Sequence, residues 1–388
     1  MHDHLKGGEM SRKLFLVVSV LLVLSMSLAA CAKAAPTVAP TVAPTEPPPA
    51  APTTPPATEA PAVDPMEALV TAAKAEGTLV SYGLPDDWVN YGGMWTLLSD
   101  KYGITHADTD MSSGEILAAL KAEAASPVAD ITDLGFGFAQ VVNEEGLSQP
   151  YKNAYWDEIP DYAKDPDGRW AAGYWGAIAF TVNADLVPNI PQSWADLLKP
   201  EYQDTICMKD PRESATANMV VLAAAFANGG DEKNPQPGVD YFKQLSDDGQ
   251  LRALAPSTDN IQKGECPISL FWDFDGLSKK ESLSEMNLTV VIPSDGTVAG
   301  LYIQFITAGA PHANAAKLML ETEYSDEGQL AYAAGFVHPI RSSVVIPDDL
   351  MAKFPPAESY SVVKFPQDYV ALAAAATIIS DGWNTIAQ

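Results

Sequence analysis

The chain has 388 residues, 47% of them hydrophobic, and its 50 acidic against 23 basic residues give a formal net charge of -27. That charge argues against a nucleic-acid partner, because contacts to phosphates require clustered Lys and Arg side chains. After the first thirty residues no apolar run is long enough to span a membrane.

The first 31 residues have the pattern of an export signal. Arg12 and Lys13 supply a positive region, an apolar run follows at 14–28, and small residues lead to Cys31. The string LAAC at 28–31 resembles the bacterial lipobox, whose cysteine is lipidated after cleavage. We therefore predict a lipid on Cys31, with an ordinary signal peptide or an uncleaved anchor as the alternatives.

The start of translation is open between two methionines. Residues 1–9 include His2, Asp3, His4 and Glu9, which are unlike the positive start of a signal peptide, so translation could begin at Met10 instead of Met1.

Residues 32–65 are rich in Pro, Ala and Thr and contain a PTVAPTVAP repeat. Such a segment cannot bury a core and favours extended polyproline II, so we predict a disordered linker. At roughly 3.1 Å per residue it could hold a folded module up to about 100 Å from the lipid.

The remaining residues, 66–388, are numerous enough for two lobes, and helical and strand patterns alternate along them. The predicted helices are 66–76, 95–101, 116–125, a short one after Ser193, 214–227, 313–323, 326–334 and 371–379. The predicted strands are 78–82, 129–134, the long apolar stretch 170–183, 204–208, 267–272 and 288–292. This alternation predicts a mainly parallel α/β sheet, in which ligands bind beyond the carboxyl ends of the strands.

Cys207 and Cys266 are the cysteines that remain after Cys31. An even pair in an exported chain favours a disulfide, with two free buried thiols as the alternative. Their spacing does not fit a metal site, and we predict neither a metal nor a cofactor.

An enzyme is not indicated. The sequence lacks a G-x-S-x-G elbow, an H-E-x-x-H helix, a P-loop and a G-x-G-x-x-G loop, and His106, His312 and His338 are far apart. No catalytic residues are therefore predicted.

Two predicted helix starts carry hydroxyl groups that could bind an anion. Ser113 and Gly114 precede one helix, and Ser214 and Thr216 open another. Backbone N–H groups and the helix dipole favour anions at such positions. The alternative for the first is a capping box between Ser112 and Glu115, which needs no ligand.

Aromatic side chains stand next to carboxylates at three predicted strand ends or crossover points. They are Asp86 with Trp88, Trp175 after Tyr174, and Trp272 with Asp273 and Asp275. Such pairs suit a cationic ligand through cation–π and charge contacts, and the alternative is packing in the core.

Residues 77–347 resemble the family 1 extracellular solute-binding proteins of ABC importers. Residues 191–200 read PQSWADLLKP and match the pattern P-x-S-W-x-D-L-L-x-P. The other matching stretches, in order, are 77–82, 113–115 with 121–123 and 127–130, 165–170 with Asn183, 309–312 with 315–317, 327–329 and 339–341.

The resemblance implies a two-lobed α/β fold of the type II periplasmic-binding class, each lobe a mixed sheet flanked by helices, with a hinge between them. By this analogy the chain crosses near residue 180 and returns near residue 293. Lobe 1 would then hold 66–179 and 294–345, and lobe 2 would hold 180–293 and 346–388. Cys207 and Cys266 would lie on neighbouring strands of lobe 2, which adds to the case for a disulfide.

The resemblance also implies a monomer that stays at the cell surface or in the periplasm by its lipid, captures a small solute and delivers it to ABC permease subunits. Related proteins bind ferric iron, phosphonates or sugar phosphates, polyamines and thiamine. Iron binders usually show adjacent tyrosines, whereas Tyr302 stands alone, so iron is disfavoured. A zwitterion such as an aminoalkylphosphonate would use both the anion and the cation candidates, and a surface sensor or hydrolytic enzyme that reuses the fold is the alternative. The candidate ligand-binding residues are Asp86, Trp88, Ser113, Gly114, Trp175, Ser214, Thr216, Trp272, Asp273, Asp275 and Tyr302.

Overall fold

The computed structural model describes residues 64–386. The predicted export signal, Cys31 and nearly all of the predicted linker lie outside the described residues. Within the described range, no helix combines the length and the apolar character that crossing a membrane requires.

Helices and strands alternate as the sequence predicts. The helices are α1 (Pro65–Glu76), α2 (Tyr91–Tyr102), α3 (Ser113–Ala122), α4 (Ala139–Glu144), α5 (Trp194–Leu197), α6 (Ala215–Ala227), α7 (Gln236–Asp247), α8 (Thr258–Gln262), α9 (Asp273–Ser282), α10 (Ala313–Tyr324), α11 (Asp326–Ala334), α12 (Asp348–Met351) and α13 (Tyr369–Trp383). The strands are β1 (Thr78–Tyr82), β2 (Thr105–Thr109), β3 (Ile131–Gly135), β4 (Ser148–Gln149), β5 (Ala171–Asn183), β6 (Ile206–Cys207), β7 (Leu251–Arg252), β8 (Ile268–Trp272), β9 (Leu288–Val291), β10 (Thr297–Thr307), β11 (His338–Pro339) and β12 (Val363–Lys364).

Local sequence signals determine where several of these helices begin or end. Helix α1 stops at Gly77, whose positive φ of 72° suits a residue without a Cβ. Ser193 and Ser214 cap α5 and α6, because each hydroxyl accepts the backbone N–H three residues on. These boundaries are the ones that the sequence predicts.

Other boundaries differ from the prediction. Helix α2 begins at Tyr91 and not at Trp95, because burying Tyr91 and Met94 outweighs the low helix propensity of two glycines between them. The strand predicted at 204–208 shrinks to Ile206–Cys207.

The strands form one mixed sheet with the order β2-β1-β3-β10-β5-β8-β6-β7, and β4, β9, β11 and β12 pair at its sides. We call β1–β3, the part of β10 that pairs with β3, and the helices on them lobe 1. We call β6–β9 and the helices on them lobe 2. The two-lobed α/β fold predicted from the sequence is confirmed, whereas the residue boundaries of the lobes stay a prediction. The mainly parallel sheet that the alternation predicts is wrong, because β10 runs antiparallel to β3, β5 runs antiparallel to β8, and β5 and β10 run antiparallel to each other.

Two long strands connect the lobes. Strand β5 pairs with β10 up to Ala177 and with β8 from Ile178 onward. Where it changes partner, Gly176 lies opposite Gly300 of β10. A Cβ on Gly300 would lie 2.0 Å from the Trp272 ring, and one on Gly176 would lie 2.3 Å from the Phe274 ring. The glycine pair therefore lets lobe 2 aromatic rings lie directly on the connecting strands.

Helix α13 contacts both lobes. At its start the Tyr369 ring meets Phe136 and Trp170 at centroid distances of 5.9 and 5.8 Å, and at its end Trp383 meets Phe242 at 5.7 Å. The C-terminal segment, which the sequence assigned to lobe 2, thus also packs on lobe 1.

Cys207 and Cys266 form a disulfide in lobe 2, with Cα atoms 5.5 Å apart and a sequence separation of 59. Closing a loop of this length contributes roughly 4 kcal/mol on the chain-entropy model.

Gly300→Ala should lower the free energy of unfolding by about 1–3 kcal/mol, because the added methyl group collides with the Trp272 ring and the ring or the strand must shift. Urea denaturation measures the change. The matched control is Gly137→Ala, whose new Cβ would meet Leu372 at an ordinary 3.9 Å. Equal losses in both variants would contradict this account of the crossing.

Candidate functional site: the cleft between the lobes

A cleft of about 1120 Å³ opens between the lobes. Its walls are Asp133 of β3 and the segments that follow β1, β2, β6, β7 and β8, so both lobes turn their carboxyl strand ends toward it. This is where open α/β sheets bind ligands. The charged and aromatic lining residues are Asp87, Trp88, Asp110, Asp133, Lys209, Asp210, Glu213, Arg252, Asp275, Lys279, Tyr302 and Trp383.

The floor of the cleft in lobe 1 is a buried carboxylate, Asp133 of β3, which is 4% exposed. The Trp88 indole and the Tyr174 hydroxyl donate to its Oδ2 atom at 3.1 and 2.7 Å. The Gln304 amide donates to its Oδ1 atom at 2.6 Å. Burial raises the pKa of Asp133 to about 7 although these three donors lower it.

Aromatic rings surround this carboxylate. The Trp88 ring meets the edges of Tyr302 and Phe274 at centroid distances of 5.4 and 5.3 Å, and Tyr302 stacks on Tyr174 at 5.5 Å. Burial, with the charge of Asp133, raises the pKa of Tyr302, so its hydroxyl stays neutral. The floor thus offers ring faces beside a carboxylate, an arrangement that suits a cation.

The opposite wall in lobe 2 contains the start of α6. The Ser214 hydroxyl accepts the Ala217 N–H at 3.3 Å, which leaves its own O–H free to donate. The Trp272 indole donates to the Thr216 hydroxyl at 3.1 Å and so fixes that side chain. The first N–H groups of a helix have no partner within the helix, so this end presents donors and a positive dipole.

Charge is divided between the walls. Of the described lining residues on lobe 1, Asp87, Asp110 and Asp133 are acidic and none is basic. Lobe 2 brings three acids and also all three bases that line the cleft: Lys209, Arg252 and Lys279.

Two of these bases have partners. Lys279 pairs with Asp275 at 3.3 Å, and Arg252 pairs with Asp204 at 2.9 Å. Lys209 is exposed and forms no ion pair within residues 64–386. Lys209 is therefore the basic residue of the cleft wall whose charge is available to a ligand.

The structure brings six of the eleven candidate ligand residues to the cleft: Trp88, Ser113, Ser214, Thr216, Asp275 and Tyr302. Ser113 also accepts the Gly135 N–H at 3.1 Å. The neighbouring Ser112 forms the capping box with Glu115, which is the alternative that the sequence left open for this helix start.

The other five candidates do not line the cleft. Asp86 is exposed and lies 3.7 Å from His106, and Gly114 is exposed in the first turn of α3. Trp175 stacks on His338 at 4.0 Å beside the crossing. Trp272 lies behind Thr216 and is 2% exposed.

Asp273 is fully buried, and its carboxylate accepts hydrogen bonds from backbone N–H groups. Its Oδ1 atom accepts the N–H groups of Ala177 and Phe274, both at 2.9 Å, and the Tyr360 hydroxyl donates to its Oδ2 atom at 2.9 Å. It joins β5, α9 and the C-terminal segment, so its contacts are those of a structural residue at the crossing.

Asp133, Lys209 and Trp383 line the cleft but are not among the ligand-binding residues predicted from the sequence. Asp133 stands inside the predicted strand 129–134, and a carboxylate in an apolar strand is a signal that could have identified it. Lys209 comes two residues after the end of β6, which is the strand end where ligands are expected. Trp383 comes from α13, whose position beside α6 has no local sequence signal.

Comparison with known proteins agrees with this geometry. The family described as bacterial extracellular solute-binding protein matches residues 126–366, well over half of the chain. The chain belongs to this family. Its members bind solutes outside the cell membrane for transport.

Individual relatives are more distant. A probable ABC transporter periplasmic-binding protein y4fP of Sinorhizobium fredii is 25% identical over 58% of this chain and 63% of its own. The spermidine/putrescine-binding periplasmic protein of Salmonella typhimurium is 26% identical over 39% of this chain and 44% of its own. The stretch shared with each is thus less than two thirds of that relative.

Among solved structures, the periplasmic binding protein AfuA of Actinobacillus pleuropneumoniae, with fructose-6-phosphate bound, superposes with a TM-score of 0.67. It is 23% identical, over 80% of this chain and 98% of its own, which shows a shared fold. This solute-binding protein thus has the fold of periplasmic binding proteins, as the sequence predicts.

Asp273→Ala should destabilise the solute-binding protein by about 2–4 kcal/mol, because two backbone N–H groups and a tyrosine hydroxyl would lose a buried acceptor. Urea denaturation monitored by circular dichroism measures it. Asp86→Ala removes the same side chain from an exposed position and should change stability by less than about 0.5 kcal/mol. Similar stability of the two variants would show that Asp273 has no such structural role.

Proposed function

We propose that this solute-binding protein captures a small zwitterion and delivers it to an ABC permease. The observation that carries the proposal is the division of charge across the cleft: acids and aromatic rings on lobe 1, and a helix start with the available lysine on lobe 2. A solute with an amine at one end and an oxyanion at the other complements both walls.

The amine end would lie on lobe 1. Asp133, Trp88 and Tyr302 place a carboxylate beside two ring systems at the floor of the cleft. An ammonium group gains charge attraction from the first and cation–π attraction from the others, and both gains are larger where water is excluded.

The oxyanion end would lie on lobe 2. The Ser214 O–H, the free N–H groups at the start of α6 and the Lys209 ammonium converge on that wall. Phosphonate, phosphate and carboxylate groups are the anions that such helix starts bind.

Binding at both ends would draw the lobes together. Each wall belongs to a different lobe, so a solute that contacts both stabilises the closed arrangement over the open one. The crossing strands β5 and β10 would act as the hinge, and the closed form would be the one that the permease recognises.

The lipid on Cys31 belongs to the same proposal. A lipid-anchored monomer at the cell surface or in the periplasm would stay near its permease, and a proline-rich linker would keep its local concentration high. Electrophoretic mobility and mass of the membrane-extracted protein would test the lipid directly.

Other solutes use only part of the cleft. A polyamine or thiamine would use the lobe 1 wall, and a sugar phosphate would use the lobe 2 wall. Ferric iron stays the disfavoured solute, and a sensor or hydrolytic enzyme that reuses the fold is the alternative of another class.

Ser214→Ala should weaken binding of 2-aminoethylphosphonate by about 10- to 100-fold, because a hydrogen bond to a charged group is lost. It should leave binding of putrescine, which has no oxyanion, nearly unchanged. Isothermal titration calorimetry measures both affinities.

Ser193→Ala is the matched control, since Ser193 caps α5 in the same lobe but does not line the cleft. The wild type should bind the aminophosphonate more tightly than putrescine or fructose 6-phosphate. Tightest binding of putrescine or of fructose 6-phosphate, or equal effects of the two serine variants, would contradict the proposal.

A further inference from the structure

Asp133 is buried at the cleft floor without a positively charged partner. Its three hydrogen-bond donors, Trp88, Tyr174 and Gln304, are all neutral. Among the described residues no Lys, Arg or His forms an ion pair with it. A carboxyl group buried in this way is either protonated or paired with a cation that binds from outside the protein.

The elements packed around Asp133 add acids and no bases. Strand β2 brings Asp108, helix α10 brings Glu323 and Tyr324, helix α11 brings Tyr332, and helix α2 brings Tyr91. Strand β10 brings Tyr302 on the cleft side. The charged groups on the facing wall of the cleft are Lys209, Asp210, Glu213, Arg252, Asp275 and Lys279.

Glu323 is the second buried acid of this cluster. It is 0% exposed, and among the described residues no Lys, Arg or His forms an ion pair with it. The two acids are connected through Gln304, whose amide N–H donates to Asp133 while its carbonyl accepts from the Tyr324 hydroxyl at 3.4 Å. Burial, with the charge of Asp133, raises the pKa of Glu323 well above its ordinary value although the Tyr332 hydroxyl lowers it, and this favours the neutral form of Glu323.

We propose that Asp133 is the residue that receives the cationic group of the solute, and that it gives up a proton when the solute binds. This inference rests on the proposed function, because it assigns the amine end of the solute to the lobe 1 wall. It goes further by making solute capture dependent on pH.

The exchange is balanced in charge and atoms. The O–H bond of the neutral Asp133 carboxyl breaks, its proton passes to the solvent buffer, and the carboxylate that remains pairs with the ammonium of the solute. The hydrogen bonds from Trp88, Tyr174 and Gln304 are already in place to hold that carboxylate, so ionisation needs no rearrangement of donors.

The direction of the exchange reports the charge of the bound group. A cation next to Asp133 favours its ionised form and releases a proton, whereas an anion there favours the neutral form and takes a proton up. Since the pKa of Asp133 in the ligand-free protein is about 7, the effect falls in the neutral range.

The same group makes the ligand-free protein less stable as pH rises. The pKa of Asp133 rises from its ordinary value of 3.8, which applies to the unfolded chain, to about 7 in the folded protein. Between these values the folded state holds the extra proton, so stability falls as pH increases through that range.

The first experiment needs no solute. Potentiometric titration of the ligand-free wild type and of Asp133→Asn between about pH 5.5 and 8 should show about one additional proton in the wild type, titrating close to neutrality. Circular dichroism shows that the variant is folded. Superimposable titration curves would overturn the inference, whatever the solute is.

The second experiment counts protons on binding, with 2-aminoethylsulfonate and putrescine as probes because neither has an acid that titrates near neutrality. Calorimetry near pH 6 in MES and in Bis-Tris, whose ionisation enthalpies differ, should reveal release of close to one proton per solute, and about none near pH 8.5. The affinity of the wild type should rise toward tenfold per pH unit below the titration midpoint.

Three variants identify the proton's source. Glu323→Gln keeps the shape of a neutral acid and should retain the proton release, and Asp87→Asn removes an exposed acid of the same wall and should retain it as well. Asp133→Asn should abolish it. Release that persists in Asp133→Asn would overturn the inference.

Binding of an amine probe with no proton exchange in the wild type would overturn this inference and leave the proposed function standing. Binding of fructose 6-phosphate with both amine probes inactive would overturn the zwitterion proposal and the inference together.

Discussion

The rest of the structure depends on the close approach of two glycines at the point where the connecting strands β5 and β10 pair. Gly176 and Gly300 lie opposite each other, and the rings of Phe274 and Trp272 occupy the space that side chains there would fill. Because Trp272 also holds Thr216 and Phe274 also meets Trp88, the hinge and both cleft walls share these rings. In the proposed function, a movement of one lobe would therefore shift the groups that hold the solute.

The cleft walls differ in chemistry because each comes from a different set of strand ends. Lobe 1 contributes short acidic loops after β1 and β2 and the carboxylate of Asp133 on β3. Lobe 2 contributes the start of α6 and Lys209 after β6. Under the proposed function, a zwitterion that contacts both walls would stabilise the closed arrangement over the open one.

Much of the fold follows from the sequence because its signals are local. Helix α11 occurs at the predicted residues, and Gly77, Ser193 and Ser214 mark helix ends as expected. Strand β2 was missed because it is a polar edge strand without an apolar pattern. Helix α9 was missed because it starts at Asp273 directly after β8, with no turn residue between them.

The site was predicted less completely because long-range contacts decide it. Ser214, Thr216 and Trp88 could be identified from helix starts and strand ends, and they line the cleft. Asp273 has the same sequence appearance as a ligand residue, yet bonds to Ala177 and Tyr360, distant in the chain, give it a structural role. Asp133 stands in an apolar strand, and only the folded arrangement shows that it lines the cleft.

The most direct test of the central claim is a crystal structure of the protein with 2-aminoethylphosphonate bound. The account predicts the amine nitrogen within hydrogen-bond distance of the Asp133 carboxylate and the phosphonate at the start of α6, near Ser214 and Lys209. A solute bound in the opposite orientation, or outside the cleft between the lobes, would contradict it.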